Sequence, residues 1–189
     1  MPCTLAVETL TLGDVTTSGK GAKTVPFSVN SGPADFTLPP LEVAFEPSAY
    51  QNDEATRVNL VLKVGALHEA EMATIDKWIL ETVAIDPVRF FGKMKSRENL
   101  LETYTPCLKK TEKWGSQFKT KLNLPGSPGG VRLWTVDKQP RGAPEAWTGC
   151  LVEARVRFKH LYMMGAQWGA VIDTTDIRLL SEPANECPF

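Results

Sequence analysis

The chain has 189 residues, 42% hydrophobic and 23% charged, with a net charge of −1; this is the balance of a globular protein able to bury a sizeable core. No run approaches the roughly 18 to 20 apolar residues of a membrane-spanning helix. The near-neutral total argues against a general duplex-coating protein, which is usually strongly basic. Four scattered cysteines with no CxxC pair, and two histidines at no ligand spacing, argue against a disulfide framework or a structural zinc site.

In chain order, the start MPCTLAVETLTLGD shows neither a basic leader nor a cleavage pattern, so an intracellular, non-secreted protein is expected. Residues 4–12 alternate and predict a strand. A polar Gly/Ser/Thr loop follows, with Lys20 and Lys23 as minor candidate phosphate contacts. Five prolines between residues 25 and 48 exclude a helix and leave only short edge pieces at Phe36–Leu38 and Leu41–Phe45. TRVNLVLKV (56–64) alternates cleanly, with Val58, Leu60, Leu62 and Val64 on one face. Residues 67–84 switch to helical period, burying Leu67, Ile75, Trp78 and Ile79, and Pro87 marks the stop. Ser96 caps a short second helix, RENLLETY, which buries Leu100, Leu101 and Tyr104.

The middle of the chain differs from the rest in charge. Phe90–Leu124 holds eight lysines and arginines against three glutamates, a charge of +5, whereas residues 1–89 hold six bases and twelve acids, a charge of −6. FKTKLNL (118–124) reads as a strand with Phe118, Thr120 and Leu122 inward and Lys119 and Lys121 outward. PGSPGG turns the chain, and VRLWTV (131–136) reads as its hairpin partner, adding Arg132 and Trp134 to the same basic face. Leu151–Lys159 alternates, turning Arg155 and Arg157 outward, and a last strand covers AVIDTTDIRLL. The expected architecture is mainly β with a minor α component: one domain over residues 1–180, a small barrel with a helix set between strands and hairpin extensions, and a polar tail at 181–189.

A catalytic constellation is absent: there is no GxSxG, HExxH, phosphate loop or dinucleotide fingerprint. Asp173 and Asp176 could hold a divalent ion, but three residues apart on one regular strand they point to opposite faces. The chain is therefore expected to be no enzyme and to need no metal or cofactor. What remains is lysine and arginine interleaved with aromatic rings, in three groupings. These are Lys109, Lys110 and Lys113 with Trp114 and Phe118; Lys119 and Lys121 with Arg132 and Trp134; and Arg155, Arg157 and Lys159, followed by Tyr162. Cations meet phosphates and rings stack on unpaired bases, the chemistry of single-stranded nucleic-acid binding. The competing interpretation is a solvated basic surface whose aromatics lie in the core.

Four segments carry a family resemblance: ATIDKWILETVA, TYTPCLKK, KWGSQFKTKLNL and LYMMGAQWGAVIDTTDIRLL. Their order resembles the OB-fold single-stranded DNA-binding proteins of large DNA viruses and phages. The resemblance implies sequence-tolerant binding of single-stranded DNA, with RNA left open, in a groove across an OB barrel. It also implies a part in replication or recombination, alongside replication proteins and in an oligomeric state left open. Carried onto matching positions it implies contacts from Lys109, Lys110, Lys113, Trp114, Lys119 and Lys121. The tail departs from the strongly acidic endings of many such proteins, having only Glu182 and Glu186. The alternative from a different class is a structural β-sandwich component of a virion or tail, which the acidic, Pro-rich first half suits.

Overall fold

The computed structural model describes residues 6–19, 21–49, 52 and 54–183. The first half contains β1 (Leu10–Leu12), β2 (Thr16–Thr17), β3 (Lys23–Val29), β4 (Ala34–Thr37), β5 (Leu41–Val43) and β6 (Arg57–Val64). Three helices follow: α1 (Ala66–Ile85), α2 (Pro87–Phe91) and α3 (Arg97–Thr103). The second half adds β7 (Tyr104–Thr105), β8 (Leu108–Thr111), β9 (Gly115–Asn123), β10 (Arg132–Trp134), β11 (Leu151–Met164) and β12 (Gln167–Ser181).

Five strands close on themselves in the order β5–β6–β9–β12–β11 and back to β5. Every contact in that ring is antiparallel except β9–β12, which is parallel. The result is the small five-stranded barrel of an OB-fold, with a helix between its second and third strands. Closure removes the sheet edges that a two-layered sandwich would leave open. Period-two alternation fills the interior: Leu60 and Leu62 of β6, Phe118 and Leu122 of β9, Val152 and Val156 of β11, and Ile172 of β12 are all 2% exposed or less. Where β9 meets β12 inside the barrel, the hydroxyls of Thr120 and Thr174 satisfy each other at 2.7 Å.

Helix α1 joins the same core through Met72, Ile75, Ile79 and Val83, spaced three or four residues apart on one stripe and all fully buried. One residue beside that stripe, Asp76 aims its carboxylate at the chain leaving α3. It accepts from Tyr104 Oη at 2.6 Å, Cys107 N at 2.7 Å and Leu108 N at 2.9 Å. Trp168, wholly buried, donates its indole N–H to Leu100 O at 3.0 Å and stacks against Tyr104 and Phe91. The residue after it, Gly169, is needed because a Cβ there would lie 2.9 Å from Thr105 O, where β7 pairs with β12. Ser96 caps α3 by accepting from Asn99 N, as the sequence predicts.

Several expectations are corrected. The strand expected over residues 4–12 is confined, among the described residues, to Leu10–Leu12, because Val7–Thr9 form a 3-10 turn. Leu41–Val43 is not an edge piece but the first strand of the ring. Pro87 ends α1 but also begins α2, since proline suits a first helical position and Asp86 caps it by accepting from Arg89 N. Leu67 and Leu101 are exposed, not buried. Residues 161–164 finish β11, and β12 starts at Gln167, after a two-residue turn that opens on Gly165 at φ 61°.

Two larger corrections concern the basic face. VRLWTV does not return along β9: β10 pairs in parallel with β12, and β9 forms its hairpin with β8 instead. Asp173 and Asp176 share the outer face, because Val156 opposes Thr174 while Arg155 opposes Asp176, leaving Thr175 as an extra residue that resets the alternation.

Removing the Asp76 carboxylate strands three donors at once. Asp76→Ala is expected to lower stability by about 3 kcal/mol or more, since each of the three unsatisfied partners costs about 1–3 kcal/mol. Asp76→Asn, which keeps one acceptor oxygen, is expected to recover part of this in urea unfolding; equal loss in both variants would assign the effect to packing.

Candidate nucleic-acid interface

The alternation that buries Phe118, Thr120 and Leu122 turns Lys119 and Lys121 outward on β9. Across the ladder, β6 places Val61 opposite Lys119, Asn59 opposite Lys121 and Arg57 opposite Asn123. On the other side of β9, Lys109 of β8 lies opposite Gln117 and so joins the same face. The β8–β9 turn brings Lys113 and Trp114 to its tip, closed by Gly115 at φ 67°, the left-handed position that such hairpins require.

Trp114 is 49% exposed and meets Phe45 edge to face, with ring centroids 5.3 Å apart. Phe45 lies in the segment joining β5 to β6 and is itself 36% exposed. The Lys113 ammonium sits 4.7 Å from the Trp114 ring centroid. Two large aromatics and a cation thus gather at the surface where the hairpin tip reaches the first loop of the barrel. Between β9 and β12, a cleft of about 280 Å³ opens beside Lys119 and Lys121, walled by Thr105, Pro106 and Tyr162.

The cations of this face lack compensation. Among the described residues, Lys109, Lys113, Lys119 and Lys121 make no ion pair within 4 Å. Partial burial, reinforced by Lys119 and Arg57 nearby, holds the Lys121 ammonium below the usual lysine pKa, and Asp173 only partly opposes this. A cation held in its charged form against burial and like charge is a ready partner for an anion.

The remaining candidates are placed elsewhere, and acids of the chain engage them. Lys110 turns to the opposite side of the hairpin and pairs with Glu69 of α1 at 2.8 Å. Arg132 reaches Asp176 at 2.8 Å, and Trp134 donates its indole N–H to the same carboxylate at 3.1 Å. Burial pushes Asp176 up, but the hydrogen bonds from Arg132 and Trp134 outweigh it and leave its pKa below the usual carboxylate range. Arg155 and Arg157 both close on Asp35 of β4, at 3.3 and 2.6 Å, and the Arg157 hydrogen bond holds Asp35 low. The structure therefore unites Lys109, Lys113, Trp114, Lys119 and Lys121 and separates them from Lys110, Arg132, Trp134, Arg155 and Arg157. Phe45 and Asn59 escaped the sequence reading. Phe45 stood in a proline-rich stretch with no basic neighbour, and Asn59 looked like an ordinary outward residue of a strand. Among the described residues, no group of three or more His, Cys, Asp or Glu side chains could hold a metal ion, and no helix is long and apolar enough to cross a membrane.

No protein-family model and no curated protein matches the sequence. Solved structures do match the fold. The single-stranded DNA-binding protein from bacteriophage Enc34, determined in complex with ssDNA, superposes with a TM-score of 0.54 at 10% identity, over 91% of this chain and 96% of that one. The same phage protein without DNA gives 0.54 at 11% identity, over 95% and 96%. The single-stranded DNA-binding protein gp2.5 encoded by bacteriophage T7 aligns at 0.49 with 12% identity, over 82% and 92%. At such identity the likeness is one of fold, and it extends over nearly the whole of the chain and of the Enc34 protein: this chain is built as an OB barrel similar to that of the Enc34 protein.

Proposed function

We propose that the chain binds single-stranded DNA without sequence preference and without catalysis, along the outer face of β6 and β9, and so covers strands exposed in replication or recombination. The observation that carries this reading is the meeting of uncompensated lysines with an exposed Trp114–Phe45 pair on that one face. In OB barrels the second and third strands, with the loop between the first and second, are the usual oligonucleotide surface. Here these are β6, β9 and the loop bearing Phe45. The likeness to a phage protein solved with ssDNA supports the same reading. Trp114 and Phe45 offer π-faces to bases of any identity, while Lys109, Lys113, Lys119 and Lys121 meet phosphates. Asn59, between Arg57 and Val61 on β6, brings an amide to the centre of the face. RNA presents the same phosphates and rings, so the preferred strand is decided by parallel titrations.

The test is a titration of oligo-dT followed by tryptophan emission at two salt concentrations. Binding weakens steeply with salt, since single strands release about 0.7 counterion per neutralised phosphate. Trp114→Ala weakens binding by about 1–3 kcal/mol, the worth of one stacked base, and removes most of the quenching. Lys119→Glu with Lys121→Glu lowers affinity at least about tenfold (roughly 1.4 kcal/mol) with no change in the unfolding midpoint. Unchanged affinity in both variants would sink the assignment.

A pH dependence follows from Lys121. A bound phosphate favours the ammonium, so its pKa rises on binding and complex formation takes up a proton. Affinity therefore falls as pH climbs through the depressed Lys121 pKa, earlier than ordinary lysines would titrate. Lys121→Arg, which stays charged, is expected to move that fall to higher pH; an identical profile in the two proteins would show that Lys121 does not meet the ligand.

A further inference from the structure

A second basic cleft lies beyond the proposed face, at the β11–β12 turn. It measures about 470 Å³ and is lined by Lys23 of β3, Lys93 and Lys95 between α2 and α3, Asn99 and Thr103 of α3, and the Gly165 turn. No carboxylate lines it. Among the described residues, none of its three lysines makes an ion pair within 4 Å. The Lys95 ammonium sits 4.3 Å above the Phe91 ring, and Phe91 is wedged edge to face against buried Trp168, so the cation rests on a platform anchored in the core. Lysines gathered from two separate segments, β3 and the α2–α3 link, repel one another, and among the described residues no carboxylate pairs with them to offset that repulsion.

The position joins this cleft to the face already described. Thr103 and Met163 line it, while Thr105 and Tyr162 line the smaller cleft beside Lys119 and Lys121. Thr103 and Thr105 are about 7 Å apart at the usual rise of an extended chain. The turn between the fourth and fifth barrel strands also flanks the oligonucleotide surface of OB barrels in general.

We propose that the Lys23–Lys93–Lys95 cleft holds phosphodiester groups of the same single strand after it leaves the β6–β9 face, and so lengthens the footprint beyond the barrel. The inference rests on the reading under Proposed function. It gives Lys23, a minor candidate phosphate contact in the sequence, the company of Lys93 and Lys95.

The experiment compares oligo-dT of about 5 and about 16 nucleotides, near the two ends of the OB-domain site-size range. The proteins are the natural chain and Lys23→Gln/Lys93→Gln/Lys95→Gln. For the long oligonucleotide, the slope of log affinity against log salt is expected to shrink by about 2 in the variant, three phosphates at about 0.7 each. For the short one it is expected to stay unchanged, which also shows that the variant is folded. An unchanged slope on the long oligonucleotide overturns the proposal while leaving the barrel face intact. Equal losses on both lengths overturn it too, since the lysines would then belong to the barrel face itself. If the natural chain binds neither oligonucleotide, the reading under Proposed function fails first and this one with it.

Discussion

Much of this structure depends on one carboxylate. Asp76, on the helix that fills the barrel, collects a phenol and two backbone amides from a stretch where regular pairing is interrupted. Without it those amides would be buried donors lacking partners. Burial pushes the Tyr104 hydroxyl far above its ordinary pKa, so it remains a donor to Asp76 at every accessible pH. Burial also raises the neighbouring Cys107 thiol, which stays uncharged. By anchoring Cys107 and Leu108, the clamp sets where β8 begins. That start sets Leu108 against Phe118, and the same register carries the hairpin tip to Phe45.

The outer surface divides by how its cations are compensated. Around β11 and β12 three acids gather two partners each: Asp35 of β4 takes Arg155 and Arg157, Asp173 takes Arg57 and Lys159, and Asp176 takes Arg132 and Trp134. Pairs this exposed are worth about 0–1 kcal/mol each, so their main effect is on where net charge resides. The extra residue at Thr175 is what makes the arrangement possible, by bringing Asp176 round to the side of Asp173. Among the described residues no lysine of β9 forms an ion pair; Asp173 of β12 stands in register with Lys121 but pairs with Arg57 and Lys159.

What the sequence discloses follows the range of each interaction. Strands β6, β9 and β11 were legible because a half-buried strand writes its own period, and α1 because its stripe is long. The helix-capping role of Ser96 was legible for the same local reason. The partner of β9 was not. The glycine-rich turn after Leu124 makes a hairpin with β10 look natural, yet the stretch that pairs with β9 lies before it, behind the three-residue tip at Glu112–Trp114. A bulge inverts which side chains share a face, so the joint position of Asp173 and Asp176 was hidden. Ion pairs such as Asp35 with Arg157 span 122 residues and leave no mark on either segment. The basic–aromatic character of Lys109 to Lys121 was visible, whereas its separation from Arg132 and Arg155 needed the fold.

The pairing of cations with acids around β11 and β12 has a kinetic meaning. Carboxylates close to the arginines shorten the reach of that side's field, so the potential felt at a distance comes chiefly from the lysines without acid partners, on β9 and the hairpin and in the Lys23–Lys93–Lys95 cleft. A polyanion diffusing nearby feels that patch within about one Debye length, roughly 8 Å at physiological ionic strength. For the single strand proposed as ligand, attraction centred on these lysines would turn it before first touch and raise the fraction of encounters that arrive in register. On the proposed function, the same lysines that stay unpaired on the chain would choose the direction of approach, and added salt would erase that guidance before it loosens any contact at the surface.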